Sequence, residues 1–402
     1  MELGPILRAL LRNKTGAILI ALQIAFTMTV IVNALFMIEE RTQQMARPSG
    51  LVEADIFYLT STGFATDFNH RVTIEEDLAL LRQTPGIVDA IQINTIPLSG
   101  GGWSMGLQTE PGEEFDATSV ALYMVDSHGI NTMGVNLIAG ENFSETEIEY
   151  RERSQTSWPP NIIISEAMAN ELFPDNPMAA VGKTVYISAN EPITITGIIE
   201  RLQAPWSGWG GVERTMLVPT RMLFGSRYLI RTEPGRLDEM MPQIEEMLAS
   251  SNTGRIIRGM RSMTDTRARS YLFQSGMSTI LTIVVVVLTA ITGLGIVGLA
   301  SFSVNRRTKQ IGTRRALGAT KGDILRYFLV ENFVITTFGV VLGGVMTIGF
   351  NVWLTEAMSL PKIDLMYVPI GMGVLWIIGQ LAVLGPARRA CAVPPAVATR
   401  TV

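Results

Sequence analysis

Cysteine, histidine and charge within its apolar runs are scarce in this sequence. One cysteine, Cys391, in 402 residues rules out an internal disulfide. Two histidines, His70 and His128, beside that single thiol are too few for a zinc site. Neither has an acid and a nucleophile at the spacing of a catalytic triad. Charged residues are 17% of the chain against 47% hydrophobic, too apolar for an ordinary soluble protein. The net charge of −4 carries no footprint for nucleic acid, because the basic residues gather beside apolar runs. Inside those runs stand only uncharged polar groups such as Gln23, Asn33 and Gln380, with Glu331 and Asn332 at one mouth. Ion-coupled carriers place ionisable groups in mid-membrane despite their cost, so this scarcity argues against a secondary transporter.

Four long apolar runs are present: Thr15–Ile38, 277–304, 333–354 and 367–384. About 20 helical residues cross a bilayer's hydrocarbon core, so each qualifies as a span. The second exceeds that need and is expected to tilt or to project as a stalk. The first is too long for a signal-peptide core and is followed by Glu39, Glu40 and Arg41 rather than a small-residue cleavage site. Before it, residues 1–14 carry Leu3, Ile6, Leu7, Leu10 and Leu11 at helical spacing, with Arg8, Arg12 and Lys14 on other faces. That pattern predicts a helix lying on the inner leaflet. The short loops are basic at 1–14, at 305–332 and in the tail 385–402, whereas 355–366 has Lys362 against Glu356 and Asp364. Both termini are therefore expected in the cytoplasm, which makes residues 39–276 an extracytoplasmic domain and 355–366 a short outer loop.

The long domain carries two strand–helix–strand patterns. Asp55–Thr60 and Val88–Ile93 flank a helix expected to start at a Thr73–Glu76 capping box and to end at Pro85-Gly86. Arg227–Arg231 and Arg255–Arg258 flank a helix over Leu237–Leu248, which Pro242 starts or kinks. Between them, an insert of about 100–222 is richer in strands and turns. It has candidate strands at Asn161–Ile164, Thr184–Ile187 and Ile193–Ile199, and a helix at Ser165–Phe173. The fold class is thus an α+β membrane protein whose outer domain is one subdomain split by another. Val181-Gly182-Lys183-Thr184 imitates the end of a phosphate-binding loop, but Pro177 stands where that motif needs glycine, so a turn into a strand is expected. The glycine–tryptophan stretches at 100–103 and 206–211 are expected to be flexible turns, with a partner-gripping role as the alternative. The acidic runs at 113–116 and 145–152 are expected to be solvated faces.

Most informative is 305–326, between the second and third runs. It holds Arg306, Arg307, Lys309, Arg314, Arg315, Lys321 and Arg326, with Asp323 as its only acid. Ile311, Ala316, Leu317, Ile324 and Leu325 supply an apolar face, with Thr320 and Asp323 near a turn at Gly318. A basic amphipathic helix here can lie on lipid or plug into a cytoplasmic partner. In the third run Gly339-x-x-x-Gly343 permits close helix approach, for a dimer seam or for internal packing.

The one-span, large-domain, three-span order and the stretch Lys309–Thr320 resemble the FtsX-like, MacB-type ABC transporter permeases. The likeness continues through Asp323-Ile324-Leu325, Glu331 and Gly343-Gly344, and at the end through Pro386–Ala390, Pro395-Ala396 and Arg400. In the outer domain Ile164–Ala169, Leu172-Phe173, Gly182–Thr184 and Ile195–Ile199 are similar to the family's module. The link Pro177–Val181 is longer than the family's usual one. No nucleotide-binding domain is fused here, so the resemblance puts the ATPase on a separate chain.

The resemblance implies a permease subunit in the bacterial inner membrane with no catalytic, cofactor or metal site of its own; ATP and Mg belong to the partner. Two ABC ATPase copies, a second permease chain as homodimer or heterodimer, and a periplasmic membrane-fusion adaptor are the implied partners. A coupling helix at about Thr308–Leu325 would meet the ATPase through Ile311, Gly312, Arg314, Arg315, Ala316, Leu317, Gly318 and Ala319. Motion would pass along the first two spans to a porter-like β-α-β pair with an inserted lobe. The implied task is export of a peptide, drug or lipid-linked substrate. The alternatives with this architecture are a regulator of cell-wall hydrolases and a ligand sensor.

Overall fold

The computed structural model describes residues 14–358 and 362–394. The expected interfacial helix at 1–14 lies outside the described residues but for Lys14, as do Pro395-Ala396 and Arg400. In chain order the elements begin with α1 (Lys14–Ala46), β1 (Ile56–Gly63), α2 (His70–Gln83), β2 (Ile87–Gln92), β3 (Trp103–Gln108), β4 (Thr118–Val125), α3 (Gly129–Met133), β5 (Leu137–Gly140) and β6 (Glu149–Arg151). There follow β7 (Asn161–Ser165), α4 (Glu166–Leu172), β8 (Thr184–Ile187), β9 (Glu191–Ile199), β10 (Thr215–Met222), β11 (Ser226–Thr232), α5 (Leu237–Ser251), β12 (Arg255–Ser262) and α6 (Met263–Ser270). Four helices close the chain: α7 (Leu272–Arg306), α8 (Thr308–Ala316), α9 (Lys321–Met358) and α10 (Tyr367–Cys391). Two compact units result, one of Arg47–Phe273 and one of the described parts of Met1–Ala46 and Gln274–Val402.

Within Arg47–Phe273, a four-stranded sheet has the order β12-β1-β11-β2, with every pairing antiparallel. The two β-α-β halves interleave, since β11 separates β1 from β2 and β1 separates β11 from β12. This is the split β-α-β arrangement of ferredoxin-like folds. Side chains alternate across a strand. Phe57, Leu59, Tyr228 and Ile230 therefore pack on one face under Leu78 and Leu81 of α2 and Ile244 and Leu248 of α5. Ile56, Tyr58, Ile91 and Leu229 meet the insert on the other face.

The insert closes on itself. Its strands run β4-β3-β8-β9-β7-β10, and β10 pairs back onto β4 in parallel. Closure removes the exposed edges that an open sheet would present. Leu122, Met124, Ile162, Ile164, Ile195, Met216 and Val218 fill the interior. Their neighbours Tyr123, Val125, Ile163 and Leu217 point outward into the core shared with the four-stranded sheet.

Several local expectations change. The helix expected to start at Thr73 starts at His70, and its cap is Asn69, whose side chain accepts from Val72 N at 3.2 Å. Thr73 is buried inside the first turn, so its capping spacing to Glu76 is coincidental. Pro242 neither starts α5 nor ends it; the helix begins at Leu237. The tryptophans of 206–211 are packed: Trp206 and Trp209 meet edge to face at 6.0 Å, over Ala121, Ala204 and Val212. Trp103 lies in β3 and stacks on Phe224.

In the helical unit, α1, α7, α9 and α10 are each long and apolar enough to cross a membrane. The central helix is α1, and α9 runs against it. A Cβ at Gly339 would stand 2.8 Å from Ile24 Cβ, and one at Gly343 would stand 3.0 Å from both Ala25 Cα and Ala25 O. Bare backbone at both positions lets the helices touch, which is close packing within the chain. Several polar groups in this unit find partners: Thr27 and Thr292 hydroxyls meet at 2.7 Å, and Asn332 Nδ2 donates to Gly379 O at 3.0 Å. An unpaired polar group in hydrocarbon costs several kcal/mol, so such pairs allow uncharged polar residues there.

Candidate coupling surface

The basic stretch folds as a bent hairpin, in which the turn expected at Gly318 divides the coupling helix expected over about Thr308–Leu325. Helix α8 stops at Ala316, and Gly318 takes φ +99°, a conformation open to glycine without strain. Thr320 and Asp323 then start α9 by reciprocal bonds: Thr320 N and Oγ1 donate to Asp323 Oδ2 at 3.0 and 2.7 Å, and Asp323 N donates to Thr320 Oγ1 at 3.2 Å. Lys321–Met358 is continuous, so the residues beyond the turn already belong to the third apolar helix.

The eight residues named from the sequence divide into an anchor and an apex. Ile311 and Gly312 are buried, Ile311 in a cluster with Val304, Ile324, Phe328, Ala387 and Ala390, and Ala319 packs at its margin. Arg315 Nη1 donates to the carbonyls of Cys391 and Val393 at 3.1 and 2.7 Å, which ties α8 to the end of α10. Arg314 lies over the Tyr327 ring, 4.9 Å from its centre. Ala316, Leu317 and Gly318 are exposed, and Leu317 is 83% accessible.

Two supports were not legible as such in the sequence. Arg307 Nη1 donates to both Glu331 carboxylate oxygens, at 3.0 and 3.1 Å, and to Tyr327 Oη at 3.1 Å. Cys391 Sγ donates to Lys321 O at 3.2 Å. Glu331 was visible as an acid at the mouth of an apolar run, but its partner stands 24 residues away. The hairpin is therefore braced at its base, and it presents an uncovered leucine flanked by cations.

A second polar cluster lies in the outer unit. Asp126, with its side chain wholly buried, accepts from Arg82 Nη2 at 2.8 Å and from Arg221 Nε and Nη2 at 3.1 and 2.7 Å. Burial disfavours the charge on Arg221, but Asp126 outweighs it and holds the guanidinium above its usual range. His128, without a triad partner in the sequence, bonds through Nδ1 to Asp89 at 3.0 Å. Asp89 also accepts from Asn131 Nδ2 at 2.6 Å. Gly182 turns at φ +82° and Lys183 lies over the Phe173 ring, a turn entering β8.

A family model described as the MacB-like periplasmic core domain matches residues 15–250, more than half of the chain. One described as FtsX-like permease C-terminal matches residues 282–395, which include the whole hairpin. The chain belongs to the MacB/FtsX-like permease family. Among similar proteins, the macrolide export ATP-binding/permease protein MacB of Chromobacterium violaceum is 25% identical over 277 residues, 65% of this chain and 40% of that protein. This permease thus spans less than half the length of that relative. The ABC transporter permease YknZ of Bacillus subtilis, described as uncharacterized, is 26% identical over 299 residues, 72% of this chain and 71% of that one. The solved extracellular domain of a YknZ from Gram-positive bacteria aligns at 16% identity and a TM-score of 0.33, covering 50% of this chain and 100% of that domain. With four helices long and apolar enough to cross a membrane, this MacB/FtsX-like permease is a multi-pass membrane protein.

Proposed function

We propose that this permease transmits the closure of an ABC ATPase to its outer unit, for export or efflux, without binding nucleotide itself. In this reading ATP and Mg sit on a partner ATPase, present in two copies beneath a pair of permease chains. The membrane is the bacterial inner membrane, with both ends of the chain and the 305–326 hairpin in the cytoplasm. An adaptor in the periplasm extends the assembly. The observation that carries the reading is the apex Ala316-Leu317-Gly318: apolar, exposed, next in sequence to Arg314 and Arg315, and braced by Arg315 and by the Arg307–Glu331 pair. A surface that only anchored to lipid would not need such bracing. A rigid lever receiving force from a partner does. The sparse polar groups within the helices favour transmitted motion over a conducting path.

The test is Leu317→Asp. Because Leu317 is 83% exposed, the change should leave folding stability within about 0.5 kcal/mol. Buried against a partner, an unpaired carboxylate costs about 3–5 kcal/mol. The variant should therefore lose copurification with the ATPase and its stimulation of ATP hydrolysis while keeping its melting temperature. Wild-type association and stimulation in Leu317→Asp would overturn the assignment and leave the hairpin as a lipid anchor.

A further inference from the structure

A crevice of about 400 Å³ opens between α1, α7 and α9, with α10 adding Val383, at the basic end of the helical unit. That volume lies within the range of small-molecule sites, about 300–1,000 Å³. Its walls are more apolar than polar, with Ile20, Ile296, Leu299 and Val383 beside Thr15, Ser303 and Asn332, and its rim carries Lys14, Arg306 and Arg307. Arg307 is neutralised by Glu331, which also lines the crevice. Lys14 and Arg306 are exposed and have no ion-pair partner among the described residues. Two free cations thus stand over an apolar slot.

The depth of the slot is informative. From Ile296 to Arg306 the lining follows α7 for about 15 Å, at 1.5 Å per residue. A hydrocarbon core is about 30 Å thick, so the slot reaches from its basic rim to about the bilayer midplane, the depth of one leaflet. Beside it α7 is sparsely covered: its buried residues are Thr292, Ile296 and Val304, while Leu294 and Phe302 are 70% and 63% exposed. A ligand seated here would meet cations at its head and hydrocarbon along its length. That is the chemistry of a lipid rather than of a free anion, which would gain nothing from the apolar walls.

We infer that this crevice is a binding site for an anionic phospholipid, its phosphate held by Lys14 and Arg306 and an acyl chain laid between α1 and α7. Basic pockets between membrane helices on the cytoplasmic side suit such headgroups. The inference rests on the helices crossing a bilayer and not on ATPase coupling, so Leu317→Asp should leave it untouched.

The experiment is native mass spectrometry of the full chain in mild detergent, offered phosphatidylglycerol or phosphatidylcholine with the same acyl chains. The wild type should retain phosphatidylglycerol preferentially. Lys14→Gln and Arg306→Gln should each lower that retention about fivefold, the equivalent of about 1 kcal/mol per basic residue near an anionic surface. Lys309→Gln with Arg326→Gln, removing two exposed cations that do not line the crevice, should not. Ala300→Trp, which fills the apolar wall and leaves the charge alone, should also lower it, so the result does not hang on the charge variants. Equal retention of both lipids, equal losses in the control pair, or displacement of the bound lipid by inorganic phosphate would each overturn the inference.

Discussion

Removing the charge of Asp126 tests whether the outer unit depends on its buried network. Asp126→Asn preserves shape but leaves Arg221, whose side chain is 9% exposed, and Arg82, 21% exposed, without their common carboxylate. Glu145 at 2.8 Å remains for Arg221, and Asp89 at 3.4 Å remains for Arg82, so the loss should fall at the lower end of the range for breaking a buried pair. About 3 kcal/mol is expected. For a unit the size of Arg47–Phe273 this lowers the melting temperature by about 6–12 °C. Tryptophan fluorescence is a suitable reporter, because Trp103, Trp158, Trp206 and Trp209 all lie in that unit and only Trp353 and Trp376 lie outside it. Arg221→Met in the Asp126→Asn background should cost less than the sum of the two single changes, since the second removes a cation already stranded. A drop under about 2 °C, or strict additivity of the pair, would refute the reasoning.

Gly343→Val should lower the stability of the helical unit by about 1–3 kcal/mol, because its new Cβ would press on Ala25 Cα and Met28 Cβ. Gly349→Ala, with nothing within 4 Å of its Cβ position, should be neutral, and detergent melting curves of the two compare them directly. Acid should weaken the outer unit partly through Glu147, whose carboxylate accepts from Ser144 N and Oγ, both at 2.7 Å, and from Asn161. The Ser144 backbone bond above all holds it below the usual range, so its contribution is present above the unfolded value of about 4.3 and is lost as pH falls through the folded one. Melting temperatures between pH 6 and pH 3 should therefore fall less steeply in Glu147→Gln than in the wild type, and parallel curves would count against this.

The four apolar helices and the α+β domain between the first and second were legible because they depend on local quantities. Apolar length alone marks a helix that can cross a bilayer, and strand–helix–strand periodicity alone marks the halves around α2 and α5. Capping is also local, yet the Thr73–Glu76 spacing misled: the pattern recurs inside helices, and Asn69 four residues earlier had the better cap geometry. What the tertiary structure decided is everything that joins distant residues. Closure of the insert needs β10 to return to β4, and no periodicity in either strand names the other. Arg221 and Asp126 are 95 residues apart and Arg315 and Cys391 are 76, so neither pair announces itself by spacing. In 305–326 the sequence alone marked the basic residues, the turn at Gly318, and Ile311 and Leu317 as members of one apolar face. Only the folded chain separates Ile311, which is buried as an anchor, from Leu317, which is left uncovered, because α10 supplies a surface that Ile311 meets, whereas Leu317 stands at the end of α8 where the backbone turns into Gly318.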